Sequence, residues 1–170
     1  FPNSGFQVEH SISNGLYCCL TDKNIRLTPE IILQIKAGMQ KLVEANLPFE
    51  RTEMETEKAI ELFESQGLTE KTKLLRTRGN LYTSVYRLES VVDYFYGFIL
   101  PSTGLLDVFD LKHYYNGMLL LAPDKKNPNV VIPLLQQEQM LKIFSEYKRW
   151  GKILNISNIG DLNKSVEEHK

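Results

Sequence analysis

The sequence predicts an α+β fold with a mainly antiparallel sheet packed against helices. The first observation is the order of the predicted elements: a hairpin, a helix, a strand, helices and then several strands, without the βαβ alternation of parallel sheets. The second is that turns containing Asn and Gly join neighbouring strands, as antiparallel pairs allow. The third is the composition, 42% apolar and 24% charged over 170 residues, which is typical of one globular domain with at most a short appendage.

Capping and turn residues place the elements in the first half of the chain. Thr28 fits a helix N-cap and Pro29 fits the first helical position, where no N–H is needed. Gly67 fits the C-terminal cap of a second helix. The sequence therefore predicts a hairpin of strands at 6–12 and 16–20 that turns at Asn14-Gly15, a helix from Thr28 to near Asn46, a strand at 48–54, and helices at 56–66 and 68–75.

Strands predominate in the next part of the chain, and helices at its end. Residues 81–88 are rich in the aromatic and β-branched residues that favour strands, and residues 124–129 (DKKNPN) have the composition of a linker. The predicted elements are strands at 81–88, 91–98, 105–111 and 118–122, turns at Gly79-Asn80, 101–104 and Asn116-Gly117, a helix that carries Met140, Ile143, Phe144, Tyr147 and Trp150 on one face and is closed by Gly151, and a weaker helical tail at 161–169.

Charge, hydropathy and cysteine content exclude several classes of protein. The net charge of -1 argues against a dedicated nucleic-acid binder, whose affinity would come mainly from excess Lys and Arg. No apolar run approaches the ~18 residues of a membrane span, so we expect no membrane partner and a cytoplasmic location. The adjacent Cys18 and Cys19 fit neither a disulfide framework nor a zinc site, and we expect both to be reduced. Because Phe1 is not Met, we expect the chain to have been processed or cut.

The residues alone predict no active site. The sequence contains no P-loop, dinucleotide-binding, zinc-protease or serine-hydrolase motif. His10, His113 and His169 are dispersed and have no metal-ligand spacing, and His113, beside two tyrosines, is the histidine to mutate first. A basic cluster is interpreted as a solvated helix end, and it consists of Lys71, Lys73, Arg76 and Arg78.

Five stretches occur together in the order found in one known family. They are residues 12–17 (ISNGLY), 27–30 (LTPE), 46–51 (NLPFER), 59–63 (AIELF) and 92–104 (VDYFYGFILPSTG). Together they resemble the second N-terminal, or editing, domain of threonyl-tRNA synthetase, which alanyl-tRNA synthetase shares. The resemblance covers about residues 1–122 and implies the fold of that editing domain.

In that family the domain hydrolyses mischarged seryl-tRNA with a His-x-x-x-His pair and a later Cys-x-x-x-His pair. The first pair would lie ahead of Phe1, outside this chain. Matching the second pair puts Phe95 at the cysteine position and Ile99 at the histidine position. Because neither side chain can bind a metal or transfer a proton, the resemblance implies a degenerate editing site. The other candidates for its cleft are Asp93, Tyr94 and His113.

The chain also resembles bacterial nucleoside kinases of the uridine kinase type that carry a synthetase-like N-terminal region. Residues 137–163 and the stretches DYFYG, LPSTG and YYNGMLLL are more similar to this group than to the synthetases. The resemblance implies a synthetase-like module at 1–123 and a helical connector at 124–170 that leads to an absent P-loop kinase domain. ATP and Mg²⁺ are implied for that kinase domain, and we expect no cofactor and no metal in this chain itself.

Three functional hypotheses follow. In the leading one, the chain is a non-catalytic N-terminal module of a kinase that phosphorylates a nucleoside such as uridine, and is itself inactive. The alternative is an aminoacyl-tRNA editing-type hydrolase domain that is degenerate at its metal and catalytic positions. A third, a free-standing RNA-binding domain, is disfavoured by the net charge of -1. The expected partners are the kinase domain in the same protein, RNA or a nucleotide, and further copies of the chain in an oligomer.

Overall fold

The computed structural model describes residues 4–22 and 24–168, which group into two compact units. The first unit contains the described residues up to 47 and residues 102–142, and the second contains the rest. All strand pairs in both units are antiparallel and helices accompany each sheet, so the predicted α+β fold class is confirmed. The elements of the first unit are β1 (Phe6–Ile12), β2 (Gly15–Leu20), α1 (Pro29–Ala45), a short 3₁₀ helix (Thr103–Leu105), β6 (Asp110–Tyr114) and β7 (Gly117–Leu121).

The first unit is a four-stranded sheet with one long helix. Its strand order is β1-β2-β7-β6, and α1 contacts β6. The capping residues predicted the bounds of α1 correctly, since the Ile31 N–H donates to Oγ1 of Thr28 over 3.4 Å and Asn46 adopts a left-handed φ of 49° after the last turn. The buried core of the unit consists of Cys18, Leu27, Ile32, Leu111 and Met118.

The turns of both hairpins in this unit lie one residue earlier than predicted. The β1–β2 turn is Ser13-Asn14, where both residues have positive φ (52° and 60°), and the β6–β7 turn is Tyr115-Asn116. The predicted turn glycines instead begin the returning strands. A Cβ on Gly15 would lie 2.7 Å from the Leu120 carbonyl oxygen, and one on Gly117 would lie 2.6 Å from the Cys18 carbonyl oxygen. These glycines therefore allow β2 and β7 to approach each other closely, and they are not needed for the conformation of the turns.

The second unit places helices against one face of a three-stranded sheet. Its elements are β3 (Glu50–Glu55), α2 (Thr56–Ser65), α3 (Thr69–Arg78), β4 (Tyr82–Leu88), β5 (Val91–Tyr94) and α5 (Ile159–Glu167), with strand order β3-β4-β5. The hydroxyls of Thr56 and Thr83 form a buried hydrogen bond of 2.9 Å where α2 meets the sheet. The buried core consists of Ala59, Ile60, Phe63, Leu75, Val85 and Val92.

Two predicted strands and one predicted helix end are wrong. The strand predicted at 91–98 stops at Tyr94, because the Phe95 side chain folds against Tyr86 instead of continuing the ladder. The strand predicted at 105–111 is largely irregular, since a 3₁₀ turn occupies its start and β6 begins only at Asp110. Gly151 lies inside α4 (Glu138–Ile153) and does not close it. A Cβ there would lie 2.7 Å from the Ile156 carbonyl oxygen, which folds back under the helix end.

The two units are groups of residues in contact, and their bounds differ from the boundary predicted at residue 124. That boundary, between a synthetase-like module and a connector, stays a prediction. α4 begins in the first unit and ends in the second, and α5 packs on α3. Within the described part of the chain, no helix has the length and apolarity needed to cross a bilayer. Cys18 and Cys19 are free thiols, and burial raises the pKa of Cys18 to about 11. The predicted tail at 161–169 forms α5, and His169 lies outside the described residues.

Candidate functional site

Four of the five predicted site residues lie on one stretch of the second unit. Asp93 and Tyr94 end β5, Phe95 follows them, and Ile99 is half-buried in the loop toward Pro101. His113 belongs to the first unit, where it is exposed on β6. The pKa of Glu30 is lowered by the Thr28 hydroxyl and, to a smaller extent, by His113. Four of the predicted site residues therefore lie in the second unit, whereas His113 lies in the first.

A cleft of about 240 Å³ opens beside Tyr94 within the second unit. Helices α3 and α5 form its other walls. Gly160 allows the close approach of α5, because a Cβ there would lie 3.2 Å from the Leu74 backbone nitrogen. The residues that line the cleft are Glu70, Lys71, Leu74, Tyr94, Asn158, Ile159 and Gly160.

Asp93 and Lys71 form an ion pair beside this cleft. The Lys71 Nζ lies 2.6 Å from Oδ2 of Asp93, and Oδ1 of Asp93 accepts a hydrogen bond of 2.7 Å from the Tyr94 N–H. Both oxygens of the carboxylate therefore have a donor, and its charge is balanced by the ammonium group. The pKa of Tyr94 is raised to about 12, first by burial and then by Tyr96. Its phenol is protonated near neutral pH and can donate a hydrogen bond, but it cannot serve as a general base there.

The chain after Tyr94 folds back over the sheet face opposite the helices. The Phe95 ring meets the Tyr86 ring edge-on, with centroids 5.6 Å apart, and the Tyr86 hydroxyl donates to the Gly97 carbonyl over 2.8 Å. Val85 points into the core, so its neighbour Tyr86 must point to the opposite face of β4. Phe95 thus has a packing role at the position where the resemblance predicts a cysteine ligand.

Two aromatic rings in the loop after Phe95 are largely exposed, and each has an arginine over one face. Tyr96 is 73% exposed, and the guanidinium of Arg78 lies 4.3 Å from its ring centroid. Phe98 is 88% exposed, and the guanidinium of Arg51 lies 5.0 Å from its ring centroid. We call Tyr96 and Phe98 the stacking pair. A ring held this way presents its free face for stacking with a planar base.

The basic cluster on α3 is built into the second unit. Its pairs are Lys71 with Asp93 (2.6 Å), Lys73 with Asp161 (2.9 Å), Arg76 with Glu64 (2.7 Å) and Arg78 with the ring of Tyr96 (4.3 Å). The interpretation as a solvated helix end missed these roles, because every partner except Glu64 is distant in sequence. The run of aromatic residues after Asp93 was the sequence signal for stacking, whereas the arginines that meet Tyr96 and Phe98 lie on other elements.

The histidines and carboxylates do not assemble a metal centre in the described residues. No group of three or more His, Cys, Asp or Glu side chains there could hold a metal ion. His10 lies on β1 with its ring centroid 5.2 Å from that of Tyr17, and His113 lies on β6. The contacts of the predicted site residues are hydrogen bonds, an ion pair and aromatic ring contacts.

Comparison with known proteins relates the chain to one group of enzymes. No family model matches it. A protein named threonine–tRNA ligase from Nitratidesulfovibrio vulgaris is 36% identical over 132 residues, which are 75% of this chain and 19% of that protein. The protein of the same name from Thermotoga maritima is 39% identical over 101 residues, 59% of this chain and 16% of that protein. The one from Syntrophotalea carbinolica is 28% identical over 165 residues, 89% of this chain and 25% of that protein.

The chain thus contains a threonyl-tRNA synthetase-like domain, as the sequence motifs predicted. It spans only about a fifth of the length of the first of these relatives. The Syntrophotalea match covers so much of this chain that it extends into residues 124–170. The part of the chain that the kinase resemblance assigns to a connector is therefore also similar to a ligase.

Proposed function

We propose that this chain is an aminoacyl-tRNA editing-type domain that recognises the 3′ end of an RNA and no longer hydrolyses an ester. Its similarity to threonine–tRNA ligases supports the editing-type part of the proposal. The observation that carries the loss of hydrolysis is the packing of Phe95, at the cysteine position, against Tyr86. This proposal follows the alternative hypothesis from the sequence more closely than the leading one.

Hydrolysis of an ester requires an activated water, which a metal ion or a general base provides. Phe95 and Ile99 offer neither function. The carboxylate of Asp93 is engaged by Lys71 and by the Tyr94 N–H, and the Tyr94 phenol is held protonated. These four predicted site residues can bind and orient a ligand, but none of them is free to activate a water molecule.

The stacking pair supports recognition of unpaired nucleotides. Single-stranded RNA ends are bound by stacking of their bases on aromatic rings and guanidinium planes. Tyr96 and Phe98 provide the rings, and each is already held by an arginine on its other face. With a net charge of -1, the chain gains little from counterion release, so we expect an affinity that depends on stacking and only weakly on salt.

An RNA-binding measurement tests this proposal. The probe is a fluorescein-labelled RNA hairpin with a single-stranded 3′ overhang, compared with the same hairpin with a blunt end. Phe98→Ala should weaken binding of the overhang by roughly 5- to 150-fold, because one stacked base contributes ~1–3 kcal/mol. Leu81→Ala, which removes an 81% exposed side chain without a ring, is the matched control. Equal affinity for both hairpins, or equal effects of the two substitutions, would contradict RNA recognition at the stacking pair.

The loss of hydrolysis is tested separately with an RNA that carries a 3′ seryl ester. Serine release in the presence of the protein should not exceed release in buffer alone. Turnover that depends on the protein would show that the editing chemistry survives. Binding without turnover is the expected combination, and it separates the two halves of the proposal.

We also propose a second function, in which this sequence is a module of a longer protein, a nucleoside kinase that uses ATP and Mg²⁺. The replacement of both editing positions favours it, since a kinase would not require them. The relatives described above are ligases, so this proposal depends on the sequence resemblance alone. Phosphate transfer from ATP to uridine by the longer protein, and none by this chain, is the expected result. The cytoplasmic location also stays a prediction.

A further inference from the structure

The register of the second sheet separates the two rings of the stacking pair. Arg51 of β3 pairs with Tyr86 of β4, so their side chains point to the same face of the sheet. Tyr86 points away from the helices and the core, because its neighbour Val85 is part of that core. The guanidinium of Arg51 lies over the Phe98 ring, which places Phe98 on the face away from the helices as well. We call this face, with Arg51 and Tyr86, the open face.

A second contact fixes Arg51 on the open face. Its Nη2 group donates a hydrogen bond of 2.7 Å to the hydroxyl of Ser84. Ser84 precedes Tyr86 by two residues in β4, and side chains two residues apart in a strand share a face. The guanidinium that meets the Phe98 ring is therefore held by the sheet itself, on the side away from the helices.

Tyr96 lies on the side of the helices. Its ring meets the ring of Tyr94 edge-on, with centroids 5.8 Å apart, and Tyr94 packs against Phe63 of α2 within the core. The guanidinium over the Tyr96 ring belongs to Arg78, the last residue of α3. Both neighbours of the Tyr96 ring thus come from the helical side. The two rings of the stacking pair therefore lie on opposite sides of the sheet edge that β5 forms.

The residue between the two rings is held in place. Gly97 stands between Tyr96 and Phe98, and its carbonyl accepts the hydrogen bond of 2.8 Å from the Tyr86 hydroxyl. Tyr86 is 5% exposed, so this bond anchors the loop to a buried side chain. A binding loop that is fixed before its ligand arrives loses less conformational entropy on binding. The loop therefore presents its rings to the two sides without first having to rearrange.

Rings on opposite sides of a sheet cannot hold two bases that are stacked on each other. Two packed sheets lie ~10 Å apart, so side chains reach about half that distance from each face, and the two rings are on the order of 10 Å apart. Stacked neighbours in a nucleic-acid strand are only ~3.4 Å apart. The bases of an unpaired strand can be splayed out to reach two separate rings, whereas the bases of a helical end cannot.

We infer that the stacking pair binds two splayed bases of one unpaired strand, which passes around the edge of β5 with one base on Phe98 and another on Tyr96. The inference rests on the proposed RNA recognition and specifies its ligand as a flexible single-stranded end of at least two nucleotides. An end with one unpaired nucleotide can engage only one ring. The edge of β5 permits this path, because in the described part of the chain β5 pairs only with β4.

RNA hairpins with 3′ overhangs of one, two and four unpaired uridines test the inference by fluorescence anisotropy. Affinity should rise by roughly 5- to 150-fold from the one- to the four-nucleotide overhang, which is the range for one further stacked base. Tyr96→Ala and Phe98→Ala should each remove most of this gain. Tyr147→Ala is the matched control, because Tyr147 is a 70% exposed tyrosine on α4, compared with 73% for Tyr96. Circular dichroism confirms that each variant is folded.

Double-mutant cycles then assign the bases to the rings. Abasic nucleotides replace the overhang bases one at a time, and the loss of affinity is measured for the wild type, Tyr96→Ala and Phe98→Ala. One abasic position should cost little further affinity in Phe98→Ala, and a different position should cost little further affinity in Tyr96→Ala. Coupling of both rings to the same base would overturn the inference. So would equal affinity for short and long overhangs while Phe98→Ala still weakens binding, and that result would leave the proposed RNA recognition intact. If no overhang bound at all, both proposals would be wrong.

Discussion

Gly15 and Gly117 begin the returning strands of two β-hairpins, and each lies against a backbone carbonyl of the neighbouring strand. An Asn-Gly dipeptide ordinarily predicts the turn itself, because both residues tolerate positive φ. In both hairpins the turn moves one residue back, and the glycine serves the close contact between β2 and β7 instead. Sequence reasoning detected the hairpins correctly but could not separate these two uses of glycine, since the second depends on a strand distant in the chain.

Substitution of Gly117 by Ala should therefore destabilise the protein. The added Cβ would lie 2.6 Å from the Cys18 carbonyl oxygen, so the strands must separate, at a cost of about 1–3 kcal/mol in the free energy of unfolding. Gly38→Ala is the control, because Gly38 lies within α1 with no atom within 4 Å of an added Cβ. That change should stabilise by ~0.5–1 kcal/mol through helix propensity. Urea unfolding measures both, and equal signs for the two variants would contradict the close-contact explanation.

Thr103 completes the end of α1 from a distant part of the chain. Its hydroxyl donates to the Leu42 carbonyl over 2.5 Å and accepts from the Leu47 N–H over 2.9 Å, and the residue is 3% exposed. The last carbonyls of a helix have no partner of the regular helical pattern, and here the Thr103 hydroxyl supplies one for Leu42. Thr103 thus stabilises both the helix end and the loop that carries it.

Thr103→Val should cost about 1–2 kcal/mol of unfolding free energy, because it leaves two part-buried backbone groups without their partner at nearly the same side-chain volume. Thr103→Ser keeps the hydroxyl and loses one methyl group, so it should cost ~1 kcal/mol or less. Chemical denaturation of the two variants separates the hydrogen bonds from packing. If Ser proved as damaging as Val, the hydroxyl would not be the stabilising group.

At the scale of elements, α1 was predictable and the segment from 95 to 109 was not. The bounds of α1 depend on local residues, Thr28, Pro29 and Asn46, that act within one or two turns. The aromatic residues at 95–98 predicted a continued strand, because alternating aromatics fit a pleated surface. The same residues fit a loop that folds over a sheet face, and only the position of Tyr86 decides between the two.

The candidate site shows the same division between local and distant information. Asp93 and Tyr94 could be selected from the sequence because they lie beside the two degenerate editing positions. Lys71 could not be connected with them, since it precedes Asp93 by two elements of structure and meets it only through the fold. The contacts of Arg51 and Arg78 with the stacking pair could likewise not be predicted, because these arginines lie on other elements than the rings.

The docking of α5 on α3 should depend on pH through Asp161. The hydrogen bond from Lys73 holds the pKa of Asp161 below its usual value, so its stabilising contribution is complete above the unfolded pKa of about 3.9 and is lost as the pH falls through the lower folded value. Asp161→Asn should cost ~0.5–1 kcal/mol at pH 7, in the range of surface ion pairs. The difference in unfolding free energy between Asp161→Asn and the wild type should become smaller below about pH 4.

Amide hydrogen exchange of α5 provides the local measurement for this prediction, since Asp161→Asn should speed exchange in α5 at pH 7 and leave α1 unchanged. Glu61→Gln removes one exposed carboxylate from α2 and controls for the change in net charge. A stability difference for Asp161→Asn that persists unchanged to low pH would exclude the ion pair as its cause.

At the scale of the whole molecule, residues 124–142 group with the first unit by their contacts. The Ser13 N–H donates to Gln137 Oε1 over 2.8 Å, and the Leu135 N–H donates to the Ser13 hydroxyl over 2.6 Å. The Gln137 N–H donates to the buried Tyr114 hydroxyl over 3.0 Å. This segment therefore satisfies polar groups at the turn ends of both hairpins. The described residues 143–168, by contrast, contribute no side chain to either buried core.

Two shortened chains should consequently differ in stability. A chain of residues 1–142 keeps both buried cores and the bonds of Ser13 and Tyr114, so it should unfold cooperatively with only a small loss of stability. A chain of residues 1–123 loses at least three part-buried hydrogen bonds and should be less stable than residues 1–142 by about 2–4 kcal/mol, at ~1 kcal/mol or more for each bond. Urea unfolding followed by circular dichroism measures the difference. Equal stability of the two chains would instead support residue 124 as a boundary of independent folding. The segment 124–142 would then contact the first unit without stabilising it.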